Sequence, residues 1–204
     1  MKPNRTPYWP LTIWLGLAVA VFGASLSLPL LRHLIERSMT WHMVIQMPLL
    51  VAGGWLCAGV IGQRRWGDSI ALWNRYGLAG FMAAQLIVAY WMLPVAIDRA
   101  VVVPSVDALK VASLFFAGVA LGHSFRRAPL AIQLFFVGYS VSMLLWLGLY
   151  FTTTDARLCN AYSLSSQVGA GRGVIALGVA AGWAWLVHAL WLGGRRAWEA
   201  YLRP

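Results

Sequence analysis

The sequence is poor in charge, and poorest in acidic residues. Only 11% of its 204 residues are charged, against roughly 25% in a typical soluble domain, and Asp and Glu together number 6. Hydrophobic residues make up 60% of the chain. This composition excludes a soluble domain with a charged surface and predicts an integral membrane protein.

Cysteine is also scarce, and the familiar metal-site patterns are missing. The two cysteines are Cys57, inside an apolar run, and Cys159, in a polar stretch, so we expect no disulfide between them. The sequence contains neither C-x-x-C nor H-E-x-x-H. Because no nucleophile, base and orienting group occur at a recognisable spacing, we expect that the protein is not an enzyme.

Six apolar runs are long enough for the about 20 residues that a helix needs to cross a bilayer. They cover residues 9–31, 41–62, 77–97, 106–125, 129–152 and 173–193. The alternating pattern of a membrane barrel is not present, and a helix satisfies its own backbone groups in lipid. The sequence therefore predicts an all-α, polytopic transmembrane bundle of about six helices, formed by a single domain over residues 1–204.

The basic residues, which give the net charge of +10, cluster at the ends of these runs. In a soluble protein this excess would suggest nucleic acid, but arginine pairs beside apolar runs indicate membrane orientation, so no nucleic-acid partner is expected. By the positive-inside rule both termini are cytoplasmic. We expect a multi-pass protein of the bacterial inner membrane. Ten of the 16 basic residues lie on the predicted cytoplasmic side, namely Lys2, Arg5, Arg64, Arg65, Arg75, Arg126, Arg127, Arg195, Arg196 and Arg203.

The segment 38–50, SMTWHMVIQMPLL, carries soft side chains at the outer end of the second predicted span. Side chains three and four residues apart are neighbours on a helix. Three methionines therefore form one stripe and a histidine lies in the row beside it: Met39, Met43, Met47 and His42. Pro48 has no N–H to donate, so the helix is predicted to kink just below these groups.

Thioether and imidazole groups suit copper, Cu(I) above all, better than they suit magnesium or calcium. Cys159, in a long outer loop predicted over residues 153–172, would add a thiolate, and His33 follows the first span on the same side. Methionine is also an ordinary packing residue, which is the competing interpretation. The residue types predict an outer copper site formed by His42, Met43, Met39, Met47, Cys159 and His33.

Two G-x-x-x-G pairs occur within predicted spans. Gly118 and Gly122 lie in the fourth span, and Gly178 and Gly182 lie in the sixth. Small residues at this spacing let helix backbones approach closely. We expect them to be packing sites, either within the chain or with a partner subunit.

Two segments of the sequence resemble segments of a known family. The run WHMVIQMPLL resembles the H-M-x-x-H-x-L-L signature of the CtaG family of cytochrome c oxidase assembly factors, which are polytopic membrane proteins linked with copper delivery. The segment CNAYSLSSQVGAGRGVIALG is similar to the family's penultimate polar segment, in which Asp-Gln precedes a glycine-containing helix.

In this resemblance His42 is the first motif histidine and Gln167 is the loop glutamine. Gln46 stands in place of the second histidine, and Ser166 stands in place of the aspartate. The resemblance implies a membrane assembly factor that binds copper at its periplasmic face and helps deliver it to a respiratory oxidase or a related metalloenzyme.

Two alternatives remain open from the sequence. In the first, the protein is a cofactor-free accessory subunit or scaffold of a larger membrane complex, with its 12 tryptophans mostly serving as interfacial anchors. In the second, it is a b-type haem protein. Histidines from facing helices are ordinary haem ligands, and the four histidines can be paired by depth as His33 with His42 and His123 with His188.

Overall fold

The computed structural model describes residues 9–27, 38–61, 73–159 and 162–201, and over these ranges it contains helices and no strand. The prediction of an all-α chain is thereby confirmed. The elements are α1 (Trp9–Ser25), a π-helical turn (Trp41–Gln46) that continues into α2 (Met47–Ile61), α3 (Leu78–Trp91), α4 (Pro94–Val102), α5 (Pro104–Phe125), α6 (Leu130–Thr153) and α7 (Leu164–Tyr201).

Several of these helices are long and apolar enough to cross a membrane. Within the described ranges there are four, and a fifth if α3 and α4 form one broken span. The four are Trp41–Gly59, Pro104–Phe125, Leu130–Thr153 and Leu164–Arg195. A multi-pass membrane protein is therefore supported. The count of six stays a prediction, because α1 has only 17 residues and residues 28–31 of the first predicted span lie outside the described ranges.

The third predicted span, 77–97, is broken. Helix α3 ends at Trp91, α4 begins at Pro94, and the two axes are bent by 72°. A proline restricts the residue before it to extended conformations, and Leu93 has φ −73° and ψ 130°. Pro94 is then the first residue of a new helix. The first N–H groups of a helix have no partner within the helix, so the missing N–H of proline costs no hydrogen bond at this position.

The last helix begins earlier than predicted. We expected a polar loop over 153–172, but α7 starts at Leu164 and the loop is shorter. Ser163 explains the start, because its hydroxyl accepts a hydrogen bond from the backbone N–H of Ser166 at 3.3 Å, in the manner of an N-cap. Glycines at 169, 171 and 173 do not prevent helix formation because they lie where the helix packs closely.

Helix α2 is the centre of the bundle, with α1 on one side and α5 on the other. Glycines make both contacts close. A Cβ at Gly53 would lie 2.8 Å from the Cβ of Ala20 in α1, and a Cβ at Gly54 would overlap the carbonyl oxygen of Phe115 in α5. From the opposite side, a Cβ at Gly118 would overlap the backbone of α2. Backbones this close require residues without side chains.

Helices α6 and α7 form a second closely packed pair. Gly148 and Gly171 face each other, and Gly178 and Gly182 lie against Leu144 and Val141. The two G-x-x-x-G pairs predicted from the sequence are therefore confirmed as packing sites, and both act within this chain.

The close glycine contact between α2 and α5 predicts that alanine at a contact glycine lowers the stability of the protein, whereas alanine at a glycine outside the contact does not. Gly118→Ala should destabilise the protein by about 1–3 kcal/mol, because the added methyl group forces the two backbones apart. Gly138→Ala is the matched control: an added Cβ there meets nothing within 4 Å, and alanine should stabilise the helix by up to about 1 kcal/mol. Thermal unfolding in detergent measures both, and equal stability of the two variants would contradict the described packing.

Candidate functional site: a buried cluster of soft donors

The helical turn before Pro48 is wider than an α-helical turn. Residues Trp41–Gln46 form a π-helix, and the N–H of Met47 donates to the carbonyl oxygen of His42, five residues earlier. Such turns accommodate proline in membrane helices and are frequent at functional sites. The irregularity expected at Pro48 thus takes the form of a π-helical turn. It directs two adjacent rows of side chains inward, so that His42, Met43, Gln46 and Met47 are all buried.

Four of the predicted ligands are brought together. Met39, Met43, Met47 and Cys159 belong to one continuous buried cluster, and Met39 and Met43 are 0% exposed. His42 lies beside the cluster, with its ring 6.3 Å from the ring of Tyr162, measured between centroids. We call this region the donor end of the bundle. His33, the sixth predicted ligand, lies outside the described residues.

The imidazole of His42 is buried with an unused nitrogen. Its Nε2 is inaccessible to solvent and has no hydrogen-bond partner among the described residues. A polar atom buried in this way typically costs about 1–3 kcal/mol, and such an atom in a native protein calls for an explanation. A bound ligand is one explanation.

Gln46, which replaces the second histidine of the resembled motif, has a structural contact. Its Nε2 donates to the carbonyl oxygen of Gly23 at 3.3 Å and to the hydroxyl of Ser27 at 2.7 Å. Both acceptors belong to the C-terminal end of α1 and the turn after it. Gln46 therefore ties α1 to the π-helical turn.

Gln167, the loop glutamine of the resemblance, positions the segment that carries Cys159. The amide is 1% exposed. Its Oε1 accepts from the N–H of Leu158 at 2.9 Å, and its Nε2 donates to the carbonyl oxygens of Phe151 and Ala156 at 3.5 and 3.3 Å. A single side chain on α7 thus folds residues 151–158 back onto the bundle, which places Cys159 in the cluster.

Two hydrogen bonds that Ser166 accepts join the start of α7 to the residues just before the π-helical turn. The backbone N–H of Met39 donates to the Ser166 hydroxyl at 2.5 Å, and the Thr40 hydroxyl donates to the Ser166 carbonyl oxygen at 3.2 Å. The family resemblance places an acid at this position. In this chain the serine supplies both an acceptor and a link between two helices.

A buried ion pair at the donor end was not foreseen. Lys110 Nζ lies 2.5 Å from Asp107 Oδ1, and both residues are buried near the start of α5. Lys110 is also close enough to His42 for its charge to act there. The signal in the sequence was the spacing of three residues between an acid and a base at the edge of an apolar run, where charged groups are expensive and pair with each other.

The thiol of Cys159 is neutral at physiological pH. Burial, together with the nearby carboxylate of Asp98, raises the pKa of Cys159 to about 11. A metal that binds this sulfur as a thiolate must therefore displace a proton.

The inner histidines of the haem alternative are less closely placed. His188 is exposed on α7, and His123 is partly buried on α5 with its Nε2 inaccessible and without a hydrogen-bond partner among the described residues. The two helices that carry them make at most marginal contact.

Carboxylate, imidazole and thiol groups are spread out over the described residues. Among the residues that the structure describes, no three His, Cys, Asp or Glu side chains come together as a metal-binding group. In comparisons with known proteins, no family model, no curated protein and no solved structure matches the chain.

The environment of Cys159 predicts that its thiol reacts slowly with maleimide and that the rate depends on pH. With a pKa of about 11 against 9.0 for an ordinary cysteine, its thiolate population near neutral pH is about a hundredfold lower. Maleimide labelling of a Cys57→Ala protein should be slow and should accelerate about tenfold per pH unit as the pH rises. The control is Ala156→Cys in a chain without the native cysteines, since Ala156 is exposed in the same loop. Equal rates for the two thiols would contradict the buried, neutral Cys159.

Proposed function

We propose that the protein is a membrane-embedded accessory factor that holds a copper ion at its donor end and passes it to a respiratory oxidase or a related metalloenzyme. In this proposal both termini are cytoplasmic and the donor end faces the periplasm. His42 and Met43 or Met39 hold Cu(I), while Cys159 takes part in transfer. Met47 and His33 complete the candidate set.

The observation that carries the proposal is the buried Nε2 of His42 without a hydrogen-bond partner, next to a cluster of thioethers. Imidazole and thioether together favour Cu(I) over metals that prefer oxygen. A ligand set with few charges and flexible thioethers is suited to a metal that must be released again.

Charge balance favours Cys159 as a participant. Lys110 already places a positive charge near His42, balanced by Asp107, and a further bare cation in this buried region would be costly. If the thiol of Cys159 gives up its proton as Cu(I) binds, one positive charge replaces another and the net charge of the site is unchanged. The proton leaves to solvent as the sulfur–copper bond forms.

The acidic side chains near the donor end suit a cationic partner. Asp155 is exposed in the loop before α7, and Asp98 is partly exposed on α4. Negative charge at the rim raises the local concentration of cations and favours a basic docking surface. The proposed partner is therefore a larger membrane complex with basic residues near its copper-receiving site.

His42→Ala should abolish copper retention without unfolding the bundle. Loss of an outer-shell partner alone costs about 10–100-fold in metal affinity, so loss of a ligand should cost at least as much. The control is His188→Ala, an exposed position on α7. Metal analysis of the purified protein measures retention, and full copper occupancy in His42→Ala would remove His42 from the site.

An absorption spectrum of the same samples, with and without reductant, separates the alternatives. A Soret band would replace the copper proposal with the haem alternative. If the purified protein shows no Soret band and retains no copper after incubation with Cu(I), the cofactor-free scaffold is favoured.

Copper affinity should also depend on pH through Cys159. Because the pKa of this thiol lies near 11, binding as a thiolate releases one proton, and Cu(I) affinity should rise about tenfold per pH unit between about pH 6 and about pH 8. In Cys159→Ser this contribution to the slope should disappear. Competition with a Cu(I) chelator at several pH values measures the affinity, and an unchanged slope in the serine variant would exclude Cys159 as a thiolate ligand.

A further inference from the structure

A cavity of about 550 Å³ lies among the described helices, between the α2, α3 and α5 side and the α6 and α7 pair. Five helices contribute to its wall, and it is partly open to its surroundings. Its volume is in the range of small-molecule sites, about 300–1,000 Å³. One end reaches Met43 and Met47, and the wall continues along the bundle to Trp55 and Ala181. The cavity therefore lies largely below the donor end, within the apolar length of the spans.

The wall offers almost nothing to water. Among its described residues, amide and hydroxyl groups come only from Gln85 and Ser140, and these two are hydrogen-bonded to each other. Each also donates to the carbonyl oxygen of Phe136, Gln85 at 3.2 Å and Ser140 at 2.8 Å. Buried water needs two to four polar partners, and an apolar cavity without them stays dry.

An empty cavity of this size would also forfeit the dispersion contacts of its wall. The chemistry of the wall therefore favours an apolar occupant. A cofactor with a polar ring would require free hydrogen-bonding groups, and the wall has few of them. The amide N–H group of Gln85 and the hydroxyl of Ser140 are already hydrogen-bonded, and the indole N–H of Trp55 is the other side-chain donor among the described wall residues.

The shape and flexibility of the wall favour a chain over a rigid ring. Four methionines line it, Met43, Met47, Met92 and Met143, and unbranched thioethers adapt to occupants of irregular shape. The helices α3 and α6 make only slight contact, so the two halves of the bundle stand apart beside the cavity. In a bilayer the abundant apolar chains next to such a gap are those of the lipids.

We propose that this cavity binds one acyl chain of a membrane phospholipid, held between the α2 and α3 side and the α6 and α7 pair. The chain fills space that the protein side chains leave open and joins two layers that otherwise have few contacts. This binding does not require copper, because most of the apolar wall lies below the donor end and neither His42 nor Cys159 belongs to it; Met43 and Met47 are the residues that the two regions share.

The test uses the full-length protein in vesicles of phosphatidylethanolamine and phosphatidylglycerol that contain a phospholipid with a photoreactive diazirine in mid-chain. After illumination, mass spectrometry of peptides locates the labelled residues. We expect labelling to concentrate on cavity residues such as Val88, Met143 and Leu177, well above that of the exposed Trp146 on the lipid-facing side of α6.

Two variants that fill the cavity, Ala181→Phe and Ala52→Phe, should lower labelling of the cavity residues by roughly tenfold or more, since added volume excludes the chain. Ala180→Phe and Ala83→Phe are matched controls, because both alanines are exposed on the same or a neighbouring helix but do not line the cavity. Each variant is first checked for a single monodisperse peak in detergent. A second filling variant keeps the test valid if one fails to fold.

Equal labelling of cavity and lipid-facing residues, or labelling that the filling variants leave unchanged, would overturn the proposal. So would tight, stoichiometric recovery of a prenyl quinone with no acyl labelling of the cavity. His42→Ala should retain the labelling, which separates this result from failure of the copper proposal.

Discussion

The structure depends on how closely the backbone of α2 approaches its two neighbours. Without water between helices there is no hydrophobic gain from their association in lipid, so the bundle relies on close packing of small residues. Gly53 and Gly54 are adjacent in α2 and so face different neighbours, α1 and α5. Because α2 is enclosed on both sides, the segment that leads into it, with the π-helical turn, lies in the interior, and this segment carries His42, Met39 and Met43.

Glutamine side chains form most of the side-chain hydrogen bonds that join different segments of this bundle. Gln46, Gln85, Gln133 and Gln167 each donate to at least one backbone carbonyl oxygen from another element or loop. An amide can donate and accept at once, and Gln133 and Gln167 do both: the Oε1 of Gln133 accepts from the indole N–H of Trp185, and the Oε1 of Gln167 accepts from the N–H of Leu158. His42 lies among them with a nitrogen that nothing in the described protein satisfies. That contrast, more than its residue type, distinguishes His42 as a candidate ligand.

Some features of the donor end oppose the binding of a cation and others favour it. The buried Lys110 and the neutral thiol of Cys159 oppose metal binding, whereas the thioethers and the free imidazole nitrogen favour it. In the proposed function, exchange of the thiol proton for Cu(I) would reconcile these features, since the site would then gain no charge. The cavity below adds a separate, apolar binding region that shares Met43 and Met47 with the donor end but differs from it in the chemistry of its ligand.

Several properties of this protein were determined by the sequence itself, because they depend only on local composition and spacing. Apolar run length determines membrane helices, the i, i+4 spacing puts Met39, Met43 and Met47 on one stripe, and paired glycines mark helix contacts. Other properties were decided only by the tertiary structure. These properties are the bend at Pro94, the early start of α7, the burial of Lys110 with Asp107, and the presence of Cys159 and Met39 in one buried cluster. They depend on which helix faces pack together. The spacing of residues along one helix does not show which side chains will lie beside it from a segment 120 residues away. The candidate donor residues could therefore be named from the sequence, whereas the unsatisfied nitrogen of His42 and the apolar cavity could not.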